Sequence, residues 1–169
     1  SRKAAREVRK LVYSSRSGKD EYGDIKHWIN NAPGEYAKIS EDWRQENFVI
    51  AISVMYFLHD REGQPDFLFP WLFQLLQREN GNIRHAAVRM IEHELGPLTY
   101  HLRFSSRKSG YQKISKAQAD RILVGLRSNL ESLAACSYKP SHKKSKYVNS
   151  LPSGTYKSVQ HILGCLECK

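Results

Sequence analysis

Along this chain apolar residues recur at intervals of three and four, while alternation of period two with β-branched enrichment is almost absent, so helices are expected throughout. Six or seven are predicted. The first covers about Arg2 to Ser15, with Ala5, Val8, Leu11 and Val12 on one stripe. Tyr22, Ile25, Trp28 and Ile29 mark a short second helix, which Asn30-Asn31-Ala32-Pro33-Gly34 is expected to terminate. Ser40 has the side chain of an N-cap, with Glu41 and Asp42 in the first turn where the helix dipole favours negative charge. A third helix is predicted from there to about His59. Its segment Phe48 to Leu58 is apolar nearly all round, which predicts a helix at the centre of the core.

A loop at Arg61 to Pro65 precedes a fourth helix, about Asp66 to Arg78, with Pro70 in its first turn where a missing N–H costs little. In the turn Glu79 to Asn82, Gly81 can take a positive φ and Asn82 can cap the next helix. That fifth helix presents Ile83, Ala86, Ala87, Met90, Ile91 and Leu95 on one face, and Gly96-Pro97 is expected to stop or kink it. Ser115 and Gln118 spell a capping box for the sixth, striped by Ile122, Leu123, Leu126, Leu130, Leu133 and Ala134. A last helix spans about Thr155 to Glu167, after a stretch at about 139–152 whose composition is that of an exposed basic linker.

The turn and helix Asn80-Gly81-Asn82-Ile83-Arg84-His85-Ala86-Ala87-Val88-Arg89-Met90-Ile91 resemble the second helix of a HEAT-type repeat, in which a polar turn precedes an apolar residue, an Arg and two small residues. The resemblance covers one hairpin, about Pro65 to Leu95, and implies a helical-repeat scaffold that holds a partner protein in a groove. No second good copy follows at a period of roughly 40 residues. The fold class expected is therefore all-α, built from antiparallel hairpins, as a HEAT-like stack or an irregular bundle.

Composition narrows the class further. With 169 residues and 40% hydrophobic content, one folded domain is the default. The longest apolar stretch, Phe48 to Leu58, is too short for a membrane span, and charges interrupt the N-terminal run where a signal core would lie. A cytoplasmic protein without a membrane partner is expected. Its cysteines, Cys136, Cys165 and Cys168, are too few and too odd in number for a secreted disulfide framework.

The net charge of +10 is lopsided: residues 1–102 carry 14 Lys and Arg against 14 Asp and Glu, and residues 103–169 carry 13 against 3. Arg107, Lys108, Lys113 and Lys116 surround Tyr111, while Lys139, Lys143, Lys144 and Lys146 precede Tyr147. Cations interleaved with aromatic rings suit phosphates and unpaired bases, and they also suit simple solubility or an acidic protein. The leading expectation is a non-enzymatic module that contacts DNA or RNA through these residues. A protein-interaction scaffold is the alternative.

Enzyme and metal chemistry are weaker. His161, Cys165 and Cys168 stand at i, i+4 and i+7 and would share a helix face, with Cys136 or His142 as a further donor, but the second ligand pair of a structural zinc site is missing. His85, Arg89, Glu92, His93, Glu94 and His101 read as a solvated face with no His-Glu-x-x-His spacing. Phosphate-cradling, dinucleotide-binding and nucleophile-elbow motifs do not occur. No catalytic residue and no cofactor is expected.

Overall fold

A computed structural model describes residues 23–103, 113–138 and 154–167. Among these the regular structure is all helical: α1 (Gly23–Asn30), α2 (Ala32–Ala37), α3 (Asp42–Met55) with a 3₁₀ turn at Tyr56–Leu58, α4 (Phe69–Leu76), α5 (Gly81–Leu98), α6 (Tyr100–Arg103), α7 (Lys116–Ser137) and α8 (Thr155–Glu167). None of these helices is long and apolar enough to cross a membrane. The helix expected at Arg2 to Ser15 and the linker at 139–152 lie outside the described residues. The described helices fall into two compact units, divided between Arg61 and Glu62.

In the first unit the cluster Asn30 to Gly34 interrupts the chain for only one residue. Asn31 donates from backbone and side chain to the His27 carbonyl, closing α1, and its own carbonyl accepts from Glu35 N in α2. The expected stop is found at Asn30, and Pro33 falls within the first two positions of α2, where no helical N–H is needed, so a new helix starts at once. Glu41, not Ser40, occupies the cap position of α3; Ser40 Oγ donates to the Glu41 carboxylate at 3.0 Å instead of accepting from the helix.

The centrality expected of α3 is not found. Only Val49, Ile52 and Ser53 are buried along it, followed by Tyr56, while Phe48 is half-exposed in an aromatic cluster with Trp28 and Tyr36. An apolar run shows only that its residues tolerate burial; it does not supply the neighbours that would bury every side of the helix.

The second unit is built on the hairpin α4–α5. Phe69, Trp71, Leu72, Leu75 and Leu76 are buried on α4, and Ile83, Ala86, Ala87, Met90, Ile91, Leu95 and Leu98 on α5. Pro70 sits in the first turn of α4 as expected. Asn80, rather than Asn82, caps α5: its Oδ1 accepts from Asn82 N at 2.9 Å and Ile83 N at 3.3 Å. Gly81 is then the first helical residue, with no positive φ.

The expected stop at Gly96-Pro97 falls within one residue of the end of α5 at Leu98, and the further turn expected after it is α6. Proline in the last turn removes a single ladder bond, and Thr99 N still reaches the Leu95 carbonyl at 3.0 Å while Arg103 Nη2 donates to the Gly96 carbonyl at 2.9 Å. On α7, Ser115 Oγ accepts from Gln118 N at 3.2 Å, but Gln118 Nε2 donates to the Gly63 carbonyl, so half of the capping box forms. α8 packs on α7 and α5 through Val159 and Ile162.

Candidate functional site

The contact of α8 with α5 brings together three side chains with metal-binding or reactive atoms. His161 and Cys165, one turn apart on α8, share a face by the helical repeat, and Glu92 meets them from α5. Glu92 Oε1 lies 2.8 Å from His161 Nε2 and 3.6 Å from Cys165 Sγ. The imidazole is 59% exposed and the carboxylate 35%, while Cys165 is half-buried.

The carboxylate sits at the centre, accepting from the imidazole and the thiol alike. His161 directs Nε2 at Glu92. What the three do offer is one oxygen, one nitrogen and one sulfur, all within 4.8 Å of one another.

The sequence brings His161 and Cys165 together and sets Glu92 apart from them, on a solvated face of another helix. His161 and Cys165 are expected on one face and are found there; Cys168 lies outside the described residues, as does His142, and Cys136 is exposed near the end of α7, apart from the cluster. Nothing local pairs Glu92 with His161 and Cys165, because they are 69 and 73 residues away.

Of the charged residues expected on a solvated face of α5, Arg89 and His93 are exposed, but Glu94 is only 2% exposed. Arg84, on the same helix, is 6% exposed. Its Nη1 donates to the carbonyls of Arg78 and Glu79, and burial lowers the pKa of its guanidinium. His101 on α6, its side chain 6% exposed, pairs with Asp120 of α7 at 2.7 Å.

Of the residues expected to meet nucleic acid, Lys113 and Lys116 fall within the described regions. Lys116 is exposed at the start of α7, and Lys113 is bridged to Glu62 at 2.7 Å. Arg107, Lys108, Tyr111, Lys139, Lys143, Lys144 and Lys146 lie outside them. The charge divides along the same line. The described residues carry 13 Lys and Arg against 14 Asp and Glu, and the other positions carry 14 against 3. Several described cations are paired: Lys38 with Glu35, Arg44 with Glu41 and Arg127 with Glu131.

Between α4 and α7 runs a groove of about 280 Å³, floored by Phe69, Phe73, Ile122 and Leu126, with Asp66 and Arg121 also lining it. No family model matches this sequence, and no curated protein or solved structure matches it either.

Proposed function

We propose that the protein is a non-enzymatic helical binding module that contacts nucleic acid, with the segments containing Arg107 to Lys116 and Lys139 to Lys146 as its contact residues. The observation that carries this reading is the division of charge. The described residues balance their charges to within one unit, whereas the sequence from residue 103 to 169 carries 13 Lys and Arg against 3 Asp and Glu. A folded domain needs no such excess for stability, and concentrated Lys and Arg beside Tyr111 and Tyr147 have the composition that attracts phosphates and stacks bases.

Contacts of this kind release counterions, so affinity for short single-stranded or duplex oligonucleotides falls steeply with salt, with a log–log slope of about −0.7 to −0.9 per phosphate contacted. Fluorescence anisotropy of labelled DNA and RNA across a salt series measures it. Absence of binding at low salt overturns the reading.

The groove between α4 and α7 supports a second reading, a HEAT-like scaffold for a partner protein. Its apolar floor, with one acidic and one basic residue beside it, has the make-up of a peptide-binding cleft. Recovery of one stoichiometric protein partner, insensitive to nuclease, favours this reading over the first. Both suit a cytoplasmic protein with reduced thiols.

A further inference from the structure

We infer that Glu92, His161 and Cys165 bind a divalent transition-metal ion of the zinc class. One carboxylate, one imidazole and one thiol converge from two helices, and this mixture of borderline and soft donors selects zinc-like ions over calcium or magnesium, which take oxygen. The spacing suits the ion. With bonds of about 2.0 Å to oxygen and nitrogen and about 2.3 Å to sulfur, the edges of a tetrahedral site are about 3.3 to 3.5 Å long.

The oxygen-to-sulfur distance of 3.6 Å is already of that length. The nitrogen-to-oxygen distance of 2.8 Å has to open by roughly half an ångström to reach the edge length expected of such a site, a small rotation for a side chain as exposed as His161.

Binding takes the sulfur as thiolate and Nε2 as a lone-pair donor, so the thiol proton passes to solvent and the neutral imidazole carries its proton on Nδ1. The carboxylate and thiolate together offset the dication. Three protein ligands at a half-exposed edge leave the fourth position to water or another small donor, and the ion ties α8 to α5.

Cobalt(II), which reports thiolate ligation by near-ultraviolet charge-transfer absorption, is added to the chelator-treated full chain, and zinc affinity is read by competition with a chromophoric chelator. The expected result is one equivalent bound. The absorption band is lost in Cys165→Ser and retained in Cys136→Ser, and Glu92→Gln and His161→Ala each weaken zinc by at least about tenfold. Zinc also raises the unfolding temperature of the parent protein and not of the variants, because the ion binds only the native arrangement.

Circular dichroism verifies folding. Should Cys165→Ser not fold, the affinities of the other two variants decide. No band in the parent protein, a band that survives in folded Cys165→Ser, or zinc affinity untouched by both Glu92→Gln and His161→Ala overturns the assignment.

Discussion

Arg84 turns back from the first turn of α5 and donates to the main-chain carbonyl of Glu79 at 2.6 Å, with a second bond of 2.6 Å from the same nitrogen to the carbonyl of Arg78. Two carbonyls of the interhelical turn are thereby satisfied by one buried guanidinium. This gives Arg84 a mechanical role, locking the hairpin turn. Replacing Arg84 by Met keeps much of the apolar stem and removes both charge-assisted bonds, and is expected to cost about 2 to 3 kcal/mol in chemical denaturation. A cost below about 0.5 kcal/mol, the range of an ordinary surface change, contradicts this role.

The start of α5 depends on the same turn. Asn80→Ala removes the acceptor for two orphan N–H groups and is expected to cost about 1 kcal/mol, whereas Asn80→Asp keeps the cap and costs little. Ser40→Ala, at a residue that accepts no helical bond, is expected to stay within about 0.5 kcal/mol of the parent. Urea midpoints of the three variants test the order.

Acid sensitivity has a named contributor in the first unit. Asn30 donates to the Asp60 carboxylate at 2.8 Å and is the largest cause holding its pKa below the usual value. Since the folded pKa is depressed, the ionised carboxylate stabilises the fold at neutral pH, and that contribution disappears as pH falls through the folded pKa. Asp60→Asn therefore unfolds at a lower temperature than the parent near pH 7, and the gap closes below about pH 4, around the ordinary aspartate value. A gap that is constant from neutral to acid pH contradicts the assignment.

For nucleic acid, changing Lys139, Lys143, Lys144 and Lys146 together to Gln is expected to flatten the salt slope for single strands by up to about 3, at about 0.7 per lost phosphate contact. Tyr111→Ala is expected to weaken binding by about 1 to 3 kcal/mol without changing that slope, because stacking releases no counterions. Should the lysine variant bind with an unaltered slope, those residues are not the contact.

Periodicity carried the helical class, the faces of α4 and α5 and the bounds of α8, because each follows from which residues a single helix must bury. It also placed His161 and Cys165 side by side, a matter of one turn of one helix. What it missed follows from competition between neighbours. Asn80 and Asn82 have the same side chain, and only the direction in which the turn enters the helix decides which one caps it. The stops at Asn30 and beside Pro97 are found, but the immediate restart at Ala32 is not foreseen, because Pro33 needs no N–H in the first turn of α2.

The long-range pairings had no local trace at all. Glu92 meets His161 and Cys165, and His101 meets Asp120, only when packing brings separate helices together. Helix identity follows from short-range sterics and amphipathic spacing, which are written residue by residue in the chain. The convergence of Glu92, His161 and Cys165 depends on how α5 and α8 cross, and that is set by the summed packing of the whole unit.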